Sequence, residues 1–268
     1  MARQCSIRRG PELTRRSVNR LPGSCKFLGA LTGAVCVGLL PCRDAMDKTL
    51  SLEGPYSLGE ASFDAISERL AVLNPRIIVE FGSGASTARW ALRFPQARVS
   101  AVDHEREFAN RARELCVQVG VASRTDVQVC PLRWYVTRSG VYQSYSAPSL
   151  PEVIDAVVID GPPSFTRRGR EHCLYLLSSR IRVGGLVFLD DFGRSPEKRI
   201  ARNWRLVFPE CFREVELSVG HGVLVLEVVR RLPAPRRSAL VALDSTLANG
   251  RRVVGAARRF LSSHRTSW

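Results

Sequence analysis

A doubly wound α/β domain is the fold this sequence predicts, and three observations predict it. Short runs rich in β-branched residues alternate with amphipathic helical segments between about residues 61 and 208, a pattern that implies a mainly parallel sheet with helices on both faces. The first such run flows into a glycine-rich turn, Gly82-Ser83-Gly84. The last two runs, 212–219 and 222–229, meet at Gly220-His221 like a hairpin, so the final strand enters the sheet antiparallel.

The elements follow in order. Phe63, Ile66, Leu70 and Leu73 recur at helical spacing over 61–73, and Asn74-Pro75 stops the helix. Residues 76–81, Arg-Ile-Ile-Val-Glu-Phe, have the length and apolarity of a buried parallel strand. After the glycine turn a helix runs through Ala88, Trp90, Ala91 and Leu92. A second strand spans 98–103, a helix 105–119 and a third strand 126–130. The stretch from 131 to 153 reads as a long connection whose aromatics, Trp134, Tyr135, Tyr142 and Tyr145, either form a substrate wall or lid or pack the connection itself. Strand four is 154–160, a helix covers about 168–179, and Gly184-Gly185 introduces strand five over 186–190. A helix over about 196–208 precedes the closing hairpin.

The 268 residues are 45% apolar and 24% charged, which excludes a mostly disordered, collagen-like or coiled-coil chain. The net charge of +15 is unevenly placed. Residues 1–43 carry eight basic and one acidic residue, residues 230–268 nine and one, and the stretch between them 23 of each. The expected organisation is therefore a basic leader over 1–45, disordered or targeting, a neutral domain over 46–232, and a basic tail over 233–268 with a possible amphipathic helix. A neutral domain argues against a nucleic-acid groove. Basic flanks allow weak contact with an anionic membrane surface. The longest apolar run, 27–41, has 15 residues broken by three glycines, short of the ~20 that a membrane span needs. The eight cysteines form no CxxC or Cys/His zinc spacing, as suits buried thiols in a reducing cytoplasm. Export or membrane association through 1–45 is the alternative.

Four short blocks carry the chemistry: Val79-Glu80-Phe81-Gly82-Ser83-Gly84-Ala85-Ser86-Thr87, Val102-Asp103-His104-Glu105, Val158-Ile159-Asp160-Gly161-Pro162-Pro163, and Gly184-Gly185-Leu186-Val187-Phe188-Leu189-Asp190-Asp191. Gly82 and Gly84 let the backbone turn sharply against a ligand. Thr87 stands where a dinucleotide-binding turn has its third glycine, and a ligand without a pyrophosphate does not require that glycine. Asp103 ends strand two, where a carboxylate can accept both ribose hydroxyls. Asp160 ends strand four and Asp190-Asp191 strand five, so all three point into one crevice.

In their order and spacing these blocks resemble the class I S-adenosylmethionine (SAM)-dependent methyltransferases, over about residues 58–229. The resemblance implies a Rossmann-like, mostly parallel sheet with a C-terminal antiparallel hairpin strand. It implies SAM as cofactor, with Glu80, Gly82, Ser83, Gly84, Thr87, Asp103 and His104 at its site, and Asp126 or the backbone near Cys130 toward the adenine. In this family Glu80's position supports the methionine amino group through the turn. The acids after strands four and five further resemble the divalent-cation subset of O-methyltransferases. That implies Mg²⁺ or another divalent ion on Asp160, Asp190 and Asp191, although Gly161-Pro162-Pro163 departs from the longer polar segment usual there. Candidate catalytic groups are Asp160, Asp190 and His172. Arg167, Arg168 and Arg170 are placed either to grip an acidic substrate or to lie in a solvated basic loop.

The expected activity is O-methylation of a small-molecule or glycan hydroxyl. The alternatives are another Rossmann-type enzyme, NAD-linked or an aminopropyltransferase, and a non-catalytic module held at a surface by its basic flanks.

Overall fold

The computed structural model describes residues 50–52 and 57–263. The described residues group into one compact unit, and the expected leader over 1–45 lies outside them. Seven strands form the main sheet: β1 (Ile77–Phe81), β2 (Arg98–Asp103), β3 (Thr125–Val129), β6 (Ile154–Ile159), β7 (Ile181–Asp190), β8 (Phe212–Leu217) and β9 (Val223–Val228). Two more, β4 (Leu132–Thr137) and β5 (Gly140–Tyr145), pair separately. The helices are α1 (Glu60–Leu73), α2 (Ala85–Arg93), α3 (Arg106–Gln118), α4 (Gly169–Leu177), α5 (Ser195–Val207) and α6 (Ala239–Ser263).

The sheet order is β3-β2-β1-β6-β7-β9-β8. Strands β3 to β7 of this order run parallel, and β9 lies antiparallel between β7 and β8. The closing hairpin therefore enters as its sequence implied. From β1 the chain winds outward through β2 to β3, then returns to start β6 on the other side of β1. The switch point thus lies between β1 and β6, and a crevice opens beyond their carboxyl ends.

Alternation along each strand makes two cores. Val79, Phe81, Val157, Ile159, Val187 and Leu189 face α4 and α5, which contribute Cys173, Leu174, Leu177, Ile200 and Trp204. Ile78, Ala156, Val158 and Phe188 face α1 and α2, which contribute Phe63, Ile66, Leu70, Ala88 and Trp90. All six residues of β6 are buried, as a central parallel strand requires. At the amino edge Asp155 accepts from the amides of Arg76 and Ile77 (2.7 and 2.8 Å) and pairs with Arg182, tying β1 to β7 far from the crevice.

Three details depart from the sequence reading. Strand β7 starts five residues early, at Ile181, and runs through the glycine pair. Gly184 takes φ +77°, and a Cβ on Gly185 would lie 2.9 Å from the Arg182 carbonyl. Glycine here bends a continuing strand instead of ending a loop. Second, the supposed connection over 131–153 contains the β4–β5 hairpin.

Third, the tail expected after residue 232 is packed onto the domain over its first half. In α6, Val241, Ser245 and Asn249 are fully buried. The Val141 amide donates to Ser245 Oγ (3.1 Å), Asn249 Nδ2 donates to the Val141 carbonyl (2.9 Å), and Asp244 pairs with Arg168 (2.9 Å). Helix α6 thereby covers the β5 edge, and the boundary at 232/233 crosses a packed interface. Gly140 sits under it at φ +132°, where a Cβ would fall 1.6 Å from Ser245 Oγ. Gly140→Ala is expected to cost ~1–3 kcal/mol through overpacking and backbone strain together. Urea unfolding of the full chain measures it, and an unchanged midpoint would disprove the α6 docking. Among the described residues, no helix is long and apolar enough to cross a membrane.

Candidate functional site

The first wall of the crevice is the turn from β1 into α2. Gly82 takes φ +95°, and a Cβ there would lie 3.1 Å from the Gly161 amide nitrogen. The two loops of the switch point thus touch backbone to backbone at glycine. The amides of Asp160 and Gly161 both donate to the Phe81 carbonyl (3.0 and 2.6 Å).

Beneath the turn lies Glu80, 1% exposed. Thr87 Oγ1 donates to Glu80 Oε2 (2.5 Å) and Trp90 Nε1 to Oε1 (2.9 Å). Thr87 Oγ1 in turn accepts from the Gly84 amide (3.3 Å). Thr87 therefore relays the buried carboxylate to the loop backbone, a job no glycine could do. Burial pushes the Glu80 pKa up to about 7, against the hydrogen bonds from Thr87, Ser86 and Trp90. Because the folded value exceeds the unfolded one, this group's stabilisation is complete below pH 4.5 and is lost as pH rises through about 7. Glu80→Gln removes its share of that loss, roughly 3 kcal/mol for a shift of this size. Melting temperatures from pH 5 to 8 should fall less steeply in the variant than in the wild type, and parallel curves would refute the assignment.

Asp103, at the end of β2, faces this turn. Its Oδ2 accepts from the Ser83 amide and hydroxyl (2.8 and 3.2 Å), and its Oδ1 from the Glu105 amide (3.0 Å). His104 Nδ1 stands 3.2 Å from Oδ1. Desolvation works to raise this pKa, but the bonds from His104, Glu105 and Ser83 outweigh it and hold the group below the usual range. Asp103 is therefore a fixed anion at the mouth of the crevice. The rings of Tyr145 and Phe165 approach His104 edge-on, each at 6.4 Å, and Tyr145 stacks on Phe81 at 5.6 Å.

Asp160, Asp190 and Asp191 form the second wall, at the ends of β6 and β7, with one ligating oxygen of each within 4.8 Å of the others. The β8–β9 turn props up the Asp191 loop. The Phe192 amide donates to the Gly222 carbonyl (2.9 Å) and the Gly193 amide to the His221 carbonyl (2.7 Å). Asp160 is the most open of the trio, its side chain 21% exposed. Its pKa is raised, by desolvation first and by Asp190 and Asp191 next, with the Arg170 charge opposing. Asp190 is raised by burial and by Asp191, and its Oδ1 is buried with no partner.

Arg170 reaches into this trio. Its Nη2 stands 3.3 Å from Asp160 Oδ1, its Nη1 is 3.0 Å from Asp191 Oδ2 and 3.2 Å from the Asp190 carbonyl, and its Nε is 3.3 Å from the Pro162 carbonyl. Arg194 also pairs with Asp191 Oδ2, at 2.7 Å. The trio converges as the sequence implied, but as a seat for a divalent ion it does not fit, because the Arg170 guanidinium already stands among the three carboxylates and takes one oxygen each of Asp160 and Asp191.

Residues 79–192 match a family model described as a methyltransferase domain. Over that stretch the chain is similar to a methyltransferase domain. Solved structures agree on the fold. A Geobacter sulfurreducens methyltransferase is 16% identical, with a TM-score of 0.51 over 70% of this chain and 88% of its own. The Podospora anserina methyltransferase PaMTH1, solved with S-adenosylhomocysteine (SAH), is 13% identical, with a TM-score of 0.52 over 75% and 99%. TomG, a Streptomyces achromogenes O-methyltransferase involved in tomaymycin synthesis and solved with SAM, is 15% identical, with a TM-score of 0.52 over 72% and 92%. A comparison with curated proteins gives no match.

Within the matched stretch, Glu80, Gly82, Ser83, Gly84, Thr87, Asp103 and His104 gather around one turn. His172 lies apart from them. It is 4% exposed, and its ring packs against Tyr135 at 4.5 Å and Tyr142 at 5.2 Å. Burial lowers its pKa to about 4, and Nδ1 has no partner. No hydrogen bond joins it to the carboxylate trio among the described residues, so its neighbours are those of a packed aromatic side chain. Arg168 and Arg170 are buried and held by acids, so neither is free to grip an acidic substrate. Cys130 is buried, its amide donating to the Asp103 carbonyl (2.7 Å), and an open groove along β3 runs past it and Asp126. The sequence reading missed Trp90 as a donor to Glu80 and Arg170 as a partner of the trio. An arginine ten residues past Asp160 signals neither pairing until α4 is folded back over the strand ends.

Proposed function

We propose that the methyltransferase domain moves the SAM methyl group to a hydroxyl oxygen of a small molecule or glycan. Glu80, Gly82, Ser83, Gly84, Thr87, Asp103 and His104 form the cofactor's seat. Gly82 and Gly84 present bare backbone, Asp103 takes the ribose hydroxyls, and Glu80 supports the methionine end through Thr87. SAM bound there would supply an electrophilic methyl group to an acceptor oxygen aligned with it. Asp160 would take the hydroxyl proton as the methyl group passes from sulfur to oxygen, which would leave SAH.

One observation carries the assignment of the base. Asp160 is the only member of the trio whose side chain is appreciably open, and it stands on the loop that touches the cofactor turn. The buried Asp190 raises the basicity of Asp160 by like charge, and Arg170 holds Asp160 in place. His172 receives no base role. Four described cysteines are buried and unpaired, which supports a reducing, cytoplasmic setting. Calorimetry with SAH on the full chain tests the cofactor assignment, with micromolar binding expected. A screen of hydroxylated acceptors with methyl-labelled SAM then tests the reaction, and label on nitrogen or carbon would displace O-methylation.

A further inference from the structure

We infer that the Arg170 guanidinium is the resident cation of the Asp160–Asp190–Asp191 cluster, and that it shuts divalent ions out. Three carboxylates drawn within 4.8 Å of one another in a largely buried place need a positive charge among them. Arg170 supplies it from the first turn of α4. It is itself 7% exposed, and all three guanidinium nitrogens are engaged. Nη1 also lies 3.8 Å from Glu197 Oε1, so a fourth buried acid shares the charge.

The placement is built in. A Cβ on Gly169 would lie 2.4 Å from both Pro162 Cγ and Thr166 Oγ1, and 2.7 Å from the Gln143 carbonyl. Only glycine lets α4 begin hard against the loop that follows β6. That contact carries the next side chain over the ends of β6 and β7.

The exclusion follows from shared atoms and charge. Mg²⁺ and Mn²⁺ demand oxygens at about 2.0–2.2 Å in near-octahedral array. The two acids at the ends of the trio, Asp160 through Oδ1 and Asp191 through Oδ2, each spend an oxygen on an Arg170 nitrogen. Asp191 Oδ2 carries Arg194 besides. Asp190 Oδ1 is the one buried oxygen of the trio without a partner, and an ion that took it would sit beside the guanidinium. A second cation there is repelled by the guanidinium, and arginine cannot relieve this by losing a proton at accessible pH. Proton removal then falls to a carboxylate instead of a metal-polarised hydroxyl, a consequence that rests on the proposed role of Asp160. The ion exclusion itself does not.

Mn²⁺ titration of the full chain, followed by the electron paramagnetic resonance signal of the free ion, tests exclusion without turnover. Wild-type protein is expected to leave the millimolar Mn²⁺ signal undiminished. Arg170→Met is expected to take up one ion per chain, and Arg170→Met/Asp190→Asn to lose it again. Stoichiometric uptake by the wild type that Asp190→Asn abolishes would overturn the inference. So would a folded Arg170→Met protein that binds none. The wild-type arm stands even if Arg170→Met does not fold. Failure of SAH to bind would count against the cofactor assignment alone.

Discussion

Asp160→Asn is expected to lower kcat by ~10²–10⁴-fold, the range lost when a positioned general base is removed. The amide is nearly isosteric and can still accept from Arg170 Nη2 through its oxygen, so the loop after β6 keeps its bonds to the Phe81 carbonyl. SAH affinity should therefore stay at its wild-type value. Equal losses of kcat and SAH affinity would mean that Asp160 shapes the loop and does not take the proton. The pH profile separates the roles further. A base works only when ionised, and desolvation with the charges of Asp190 and Asp191 raises this group's pKa. In the wild type, kcat/KM should fall with decreasing pH below that raised value, well above the usual carboxylate range near pH 4. Asp160→Asn should abolish this acidic limb, and a limb that survives belongs to another group.

The carboxylates of this mechanism were visible in the sequence because strands announce their ends. A run such as Ile154–Ile159 has one length and one direction, so Asp160 falls at the carboxyl edge whatever the loops do. The same logic placed Asp103, Asp190 and the glycine turn. The fold was legible for a related reason, since hydrophobic period reports which faces are covered. What stayed hidden needs a partner distant in sequence. The β4–β5 hairpin has no strong turn pair, and both its strands carry mixed burial. It is held partly by Ser245 and Asn249, over a hundred residues away. Arg170 is hidden likewise. Its sequence neighbours, Arg167 and Arg168, make it look like part of a solvated basic loop, and only tertiary folding separates their fates. Arg168 goes to Asp244 on α6 and Arg170 to the trio. Glu171, next along α4, takes Tyr142, Tyr175 and Asn203 into one buried network. Three polar residues at the start of α4 thus reach α6, the ends of β6 and β7, and β5 with α5. No periodicity reveals that, because apart from Tyr175 the partners lie far away in sequence.

Asp103→Ala should weaken SAH binding by about a hundredfold or more, the second large effect expected of this domain. Two contributions combine. The first is the loss of two hydrogen bonds from ribose hydroxyls to an anion, each worth ~1.5–3 kcal/mol. The second is local. Asp103 Oδ2 holds the Ser83 amide and hydroxyl, and Oδ1 the Glu105 amide, so the alanine variant also frees the glycine turn that receives the cofactor. Asp103→Asn divides the two. Its oxygen can keep the bond to the Ser83 amide, while its amide group replaces one acceptor with a donor. The expected order of affinity is wild type, then asparagine, then alanine. Ser83→Ala removes only the 3.2 Å hydroxyl bond and should change affinity by less than about tenfold, as for a neutral donor with an amide still in place. Calorimetry with SAH on all four proteins reads these differences. Identical affinities for wild type and Asp103→Ala would remove the ribose from this carboxylate and leave Asp103 as a fastening of the loop alone.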